Sequence, residues 1–310
     1  MTETKSLKLK KQNMDSSMKR IKPLRELNLI DDYMFDVATM DLETCKAIIE
    51  LSLNIRIQEI EWKEGQKVVH NLPGNREIRL DFYVKDTDGR VFNVEMQKKN
   101  TGNLAKRTRY YSALLDAPLL KKGEKGFDGL PQTYIIVICG FDYFGDGKYR
   151  YTFWNRCSEN LELVLQNGLT TVFLNTKGKN DAEVEPELIS FLRFVENSTA
   201  EEARQSADGR IQRMYGRIND LKNREDVEAD YMKAEEYRRL MREEAREEGR
   251  EEGREEGRIE GRVETLIYVI QQIVGKTGKS AEEAMDMLDI RAEDREEYKK
   301  LLVEKRESAD

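Results

Sequence analysis

Histidine is almost missing: His70 is the only one among 310 residues. Mechanisms that need an imidazole as general base, or several imidazoles around a metal, are thereby all but excluded. His70 itself lies in a stretch flanked by Gly, Pro and Asn and is expected at the surface. Cysteine is scarce too. Cys45, Cys139 and Cys157 are far apart, without the spacing of a zinc site or a disulfide framework, and read as buried reduced thiols of a cytosolic protein. No run of 18 apolar residues occurs, and the N-terminus carries no apolar signal core. The expectation is a soluble, cytoplasmic protein with no membrane partner.

Charge, in contrast, is abundant: 36% of residues are Asp, Glu, Lys or Arg, against about 25% in ordinary domains. Its distribution matters more than the net value of −7. Residues 201–310 carry 23 Lys and Arg against 31 Asp and Glu, whereas residues 1–200 carry 30 against 29. The whole acid excess therefore lies in the C-terminal part. Residues 1–27 hold eight basic and three acidic groups. A second basic cluster runs from Lys98 and Lys99 through Lys106, Arg107 and Arg109 to Lys121, Lys122 and Lys125. The pI of about 5.3 argues mildly against a nucleic-acid partner, and the local clusters argue mildly for one.

The length accommodates one domain of about 170 residues plus extensions. Residues 1–27 are polar and basic and are expected to form a flexible tail, with the compact domain spanning 28–200. Asp41 is a candidate N-cap for a helix from Leu42 to Asn54. Ile57 to Val69 holds one or two short strands, Asn103 is placed to cap a helix from Leu104 to about Leu115, and Pro118 stops it. Tyr134 to Cys139 is a continuous apolar run suited to a strand covered on both faces. Tyr149–Arg156 and Thr171–Asn175 read as further strands and Glu187–Glu196 as a closing helix. This order predicts an α/β sandwich with a mixed sheet. Residues 201–262 are mostly charged and contain no proline. There Arg246, Arg250, Arg254, Arg258 and Arg262 recur every four residues, as do Gly249, Gly253, Gly257 and Gly261. Pairs such as Glu247/Arg250 are worth a few tenths of a kcal/mol each, while each interior Gly costs about 1 kcal/mol relative to Ala. Two readings are open: a solvated, frayed spacer, or a coiled-coil-like helix whose glycines permit close approach in a homo-oligomer. Residues 263–310 read as a small helical tail, with Ser280 and Glu283 as a capping box.

The chemistry points to one hairpin. Ile78–Val84 and Phe92–Gln97 each alternate apolar and polar with period 2, the mark of half-buried strands. Asp86-Thr87-Asp88-Gly89 between them suits a type I turn followed by Gly in the left-handed region. That loop pairs Asp86 with Arg90. Counting back sets Val84 against Phe92, Phe82 against Val94, Leu80 against Met96, and Asp81 against Glu95. Directly opposed side chains have Cβ atoms about 5 Å apart, where like charges repel. Two carboxylates so placed need a raised pKa or a cation between them, and a divalent metal is the simpler answer. The bland alternative is two acids on a solvated sheet face. Asn93 and Gln97 share that face.

The ordered set Asp32-Tyr33-Met34-Phe35, Arg79–Val84, Asn93–Gln97 and Lys106–Tyr111 resembles the PD-(D/E)XK nuclease family transposases, also called the Rpn family of recombination-promoting nucleases. The resemblance covers roughly residues 28–200. It implies a restriction-endonuclease-like core, a central mixed sheet flanked by helices, here followed by an α-helical C-terminal extension. It also implies cleavage of DNA phosphodiesters dependent on Mg²⁺, with Mn²⁺ as a substitute. Carried over by position, Asp81 and Glu95 are the metal-binding acids and Asp32 the upstream acid. Gln97 falls where the wider superfamily has its Lys, although Glu-x-Gln is usual in this branch. Arg107 and Tyr111, four apart, share a helix face within reach of the scissile phosphate. Their bland alternative is a surface Arg laid along a core Tyr. Lys98, Lys99, Lys106 and Arg109 are the candidate DNA contacts. Three readings follow: a metal-dependent DNA endonuclease of modest turnover, linked to recombination, mobile elements or defence; a non-catalytic DNA-binding or assembly protein on a nuclease fold; and an interaction protein organised by the 201–310 helices.

Overall fold

Alternating strands at the centre and apolar-striped helices at the flanks dictate a layered molecule. The computed structural model describes residues 21–65, 68–69, 78–119 and 126–307. In chain order come α1 (Asp32–Ala38), α2 (Leu42–Leu53), β1 (Ile60–Gly65), β2 (Val68–Val69), β3 (Ile78–Arg79), β4 (Phe82–Asp86) and β5 (Val91–Gln97). Then follow α3 (Leu104–Asp116), β6 (Thr133–Cys139), β7 (Arg150–Phe153), β8 (Leu169–Asn175) and α4 (Pro186–Glu196). The chain continues with α5 (Ala200–Gln205), α6 (Gly209–Lys222), α7 (Glu225–Thr277), α8 (Ala281–Met287) and α9 (Arg295–Glu307).

Six strands form one mixed sheet in the order β1-β4-β5-β6-β8-β7, and β2 pairs with β3 in a separate ribbon. The β4–β5 hairpin is antiparallel, β5, β6 and β8 are parallel, and β7 returns antiparallel to β8. Parallel neighbours need a crossover, and α3 supplies it between β5 and β6. The hairpin turn is as the sequence predicts: Asp86 N–H donates to the Arg90 carbonyl at 3.0 Å, and Gly89 takes φ +78°. The ladder pairs Phe82 with Val94 and Val84 with Phe92. β5 and β6 are buried almost throughout, because helices cover both sheet faces. On one face Phe82, Val84, Phe92, Val94, Ile136 and Ile138 join the apolar sides of α1, α2, α4 and α6. On the other, Tyr83, Val91, Ile135, Val137 and Phe173 pack with Leu104, Tyr111, Leu114 and Leu115 of α3. Asp41 caps α2 by accepting the Thr44 N–H at 2.9 Å. At Gly140, just past β6, a Cβ would come within 2.6 Å of Ile30 Cδ1, so the Ile30 side chain would have to shift to admit one. The Gly140 N–H donates to the Gln97 carbonyl at 2.9 Å and holds the exits of β5 and β6 side by side.

Four expectations need correction. The strand expected from Ile78 through Val84 is interrupted: Leu80 and Asp81 lie between β3 and β4. Leu80 consequently packs with the α3-side cluster instead of facing Met96, which belongs to the opposite face. Asn103 does not cap α3 with its side chain; its Oδ1 accepts the Thr101 hydroxyl instead. The tail expected to end at residue 27 is packed from Ile21 onward, with Leu24 and Leu27 buried. Finally, the core does not stop at residue 200. Ile211, Met214, Ile218 and Leu221 of α6 and Val227 and Tyr231 of α7 belong to the main cluster. His70, Lys121, Lys122 and Lys125 lie outside the described residues.

The chain divides into two units, Met1–Met232 and Lys233–Asp310. In the second, Ile267, Ile270, Ala284, Met285, Ile290 and Leu302 form a small core, and Ser280 with Glu283 makes the expected capping box. The charged repeat is helical throughout. Every residue from 239 to 262 is exposed, and added Cβ atoms at Gly249, Gly253, Gly257 and Gly261 would meet nothing within 4 Å. No helix of the described residues is long and apolar enough to cross a membrane.

Candidate active site

The site forms where the hairpin meets α3. Asp81 sits one step beyond the last ladder pair of β4 and β5, Phe82 with Val94, so it stands opposite Glu95. The two acids are tied by reciprocal backbone bonds. Met96 N–H donates to Asp81 Oδ2 at 2.7 Å, and Asp81 N–H reaches Glu95 Oε1 at 3.4 Å. Asn93 Nδ2 donates to the same Glu95 oxygen at 3.2 Å. Each carboxylate therefore has one oxygen held by protein. Among the described residues Asp81 Oδ1 and Glu95 Oε2 accept no hydrogen bond, the nearest cation to Oε2 being Arg107 at 3.8 Å. Glu95 is only 2% exposed and Asp81 is partly buried, which rules out a solvated sheet face.

Burial without a full counter-charge shows in the acidities. Desolvation pushes Asp81 up to about 7; Asp36 and Asp32 push the same way, against the Met96 N–H and Arg107. Desolvation also lifts Glu95 well above the ordinary carboxyl range, reinforced by Asp81 and opposed by Asn93, the Asp81 N–H and Arg107. Both shifts favour the protonated forms, and a cation bound between the acids would oppose them.

Arg107 and Tyr111 of α3 complete the floor. The Arg107 guanidinium donates to Gln97 Oε1 at 3.0 Å and to the Tyr111 hydroxyl at 2.7 Å and lies 5.5 Å from the Tyr111 ring centre. The bland picture of an Arg along a core Tyr is thus half of the arrangement; the other half is the guanidinium facing Glu95 and Gln97. Burial raises the Tyr111 phenol, and Glu95 adds to the effect. A hydrogen-bonded Arg supplies positive charge where Gln97 cannot.

Of the remaining candidates, Asp32 is exposed at the start of α1 and acts on Asp81 through its field. Asp36, one turn further on, acts on it more strongly and was missed; its spacing of four from Asp32 was the available signal. Asn93 was seen only as a neighbour on the face. It is fully buried, and its Oδ1 has no partner, a state that costs about 1–3 kcal/mol. Lys98 does not project freely: it is ion-paired with the buried Asp31, which also holds Lys22 at 2.8 Å. Lys99, Lys106 and Arg109 are exposed.

No set of three His, Cys, Asp or Glu side chains among the described residues forms a metal cage. The donor set still fits Mg²⁺, a hard cation that takes one or two carboxylates and keeps several waters. Two carboxylates with one available oxygen each, in a site whose burial disfavours unneutralised charge, are such a set.

A mixed sheet flanked by helices, with paired acids at the end of its central hairpin, defines a restriction-endonuclease-like α/β fold. The chain belongs to the PD-(D/E)XK nuclease family transposases, whose family model matches residues 41–255. The match includes Asp81, Glu95, Gln97, Arg107 and Tyr111 and begins after Asp32 and Asp36. No curated protein and no solved structure matches the chain.

Proposed function

We propose that the protein is a Mg²⁺-dependent DNA endonuclease of the cytoplasm, hydrolysing phosphodiester bonds in recombination, mobile-element movement or defence. One observation carries the reading: the backbone N–H groups of Met96 on β5 and of Asp81 just before β4 fix one oxygen of each acid and leave Asp81 Oδ1 and Glu95 Oε2 for a cation. Bound there, Mg²⁺, or Mn²⁺ in its place, would polarise a phosphoryl oxygen and acidify a water. Asp81 and Glu95 would hold the ion. Arg107, steadied by Gln97 Oε1 and the Tyr111 hydroxyl, donates to the non-bridging oxygens as charge grows on the phosphate. The Gln97 amide nitrogen remains to orient the attacking water, and Asp32 and Asp36 strengthen the negative field that draws the cation in. Lys99, Lys106 and Arg109, all exposed, bind flanking phosphates, and Lys98 secures the end of β5 through Asp31.

The test is plasmid nicking by the purified full-length chain. Mg²⁺ or Mn²⁺ should support cleavage, and EDTA should stop it. Nicking by Asp81→Ala at the parental rate would remove the assignment. DNA retained without metal, released by salt and never cut would mark a non-catalytic binding protein instead.

A further inference from the structure

Asn93 is the most deeply buried polar side chain near the site and the one with the least evident reason to be there. It lies in the middle of β5, fully buried, two residues before Glu95 and on the same sheet face. Its ladder neighbours are Tyr83 on β4 and Ile135 on β6, both packed in the α3-side cluster. An aliphatic residue would fill this place without an orphaned carbonyl, yet the chain keeps an amide whose Oδ1 has no partner. Among the described residues the side chain makes one hydrogen bond, from Nδ2 to Glu95 Oε1 at 3.2 Å. The Asp81 N–H shares that acceptor at 3.4 Å, so two donors hold one Glu95 oxygen while Oε2 is turned toward Arg107.

We infer that Asn93 is a positioning residue. It pins Glu95 through Oε1 so that the carboxylate offers Oε2 alone to a divalent cation, as a monodentate ligand. The inference rests on the metal-site reading above and deepens it. Without the amide, Glu95 loses the stronger of its two restraints on Oε1, and rotation about its last torsion leaves Oε2 without a fixed direction. Groups that orient a ligand from behind typically change metal affinity by about 10- to 100-fold.

The experiment compares the full chain with Asn93→Leu and Asn93→Asp, reading Mn²⁺ affinity by the paramagnetic signal of free Mn²⁺ and folding by thermal melts. Asn93→Leu removes the orphaned carbonyl and keeps the branch at Cγ in a somewhat larger side chain, so it is expected to fold and to melt near the parental temperature. Its Mn²⁺ affinity is expected to fall by about 10-fold or more, and its Mn²⁺-induced rise in melting temperature should shrink accordingly. Asn93→Asp keeps the shape without the N–H and should bind no better than Asn93→Leu. An Asn93→Leu chain that is folded and binds Mn²⁺ with parental affinity overturns the positioning role while leaving the metal site standing. A parental chain that binds no Mn²⁺ overturns both. Should Asn93→Leu fail to fold, Asn93→Ser decides. The shorter hydroxyl cannot span the gap and predicts the same loss, and parental affinity in that variant overturns the role.

Discussion

The candidate centre and the charged stretch of α7 are built from the same kinds of residue and use them in opposite ways. Around Glu95, carboxylates, an amide and a guanidinium are buried or partly buried, and each geometry depends on the next. From residue 239 to 262 the Glu and Arg side chains are all exposed. Pairs such as Arg258 with Glu255 at 2.7 Å and Arg250 with Glu247 at 3.6 Å repeat along the helix. In the first setting a single charge lacks water to screen it, and its removal or protonation changes the site. In the second, screening leaves each pair with a few tenths of a kcal/mol. Abundance of charge therefore says little about where the chemistry lies.

The comparison breaks most sharply at Asp81. Asp81→Ala or Glu95→Ala should take nicking to background, whereas Glu255→Ala should leave it unchanged in the same assay. Next comes Arg107→Ala, expected to lower the cleavage rate by about 10²–10³-fold, with Arg107→Lys recovering part of it. Equal loss in both would mean that the forked geometry of the guanidinium is essential.

A third contrast lies in pH. Burial raises the Asp81 and Glu95 carboxyls in the folded chain, so unfolded chains release these protons first as pH rises. The folded state binds more protons than the unfolded one over that interval, and metal-free stability should fall as pH climbs from about 4 toward 7. A tenfold difference in proton affinity between the folded and unfolded chain corresponds to about 1.4 kcal/mol. Saturating Mn²⁺ should cancel the fall, giving its largest rise in melting temperature near neutrality and almost none at pH 5. A metal effect that grew toward acid would contradict the site. The smallest effects belong to the repeat. Gly253→Ala and Gly257→Ala meet open space and should stabilise the helix by about 1 kcal/mol each in circular-dichroism melts. If either instead shifts the mass of the full chain in solution, the glycines serve contact between copies.

Much of the centre could be read from the chain because its rules are local. Gly89 after Asp86-Thr87-Asp88 fixes the turn, the turn fixes the register, and the register puts residue 81 opposite residue 95. The break at Leu80 could not be read. The alternation from Ile78 to Val84 is unbroken, while in the fold the Asp81 carboxylate accepts the Met96 N–H of the next strand at this point. Ile211, Met214, Ile218 and Leu221 form a helical stripe of the usual spacing, but the charged residues around them hid a core helix within an apparent spacer. The role of Asn93 depends on where Glu95 lies in space, which no spacing along the chain contains.

The hold of the Met96 N–H on Asp81 also ties the site to the finished fold. Two main-chain donors, Met96 on β5 and Asp81 just before β4, orient the acids, so the pair takes this arrangement only once both segments have docked. On the nuclease reading proposed above, a chain still leaving the ribosome, or one slipped by a single residue, would carry both acids and yet not cut.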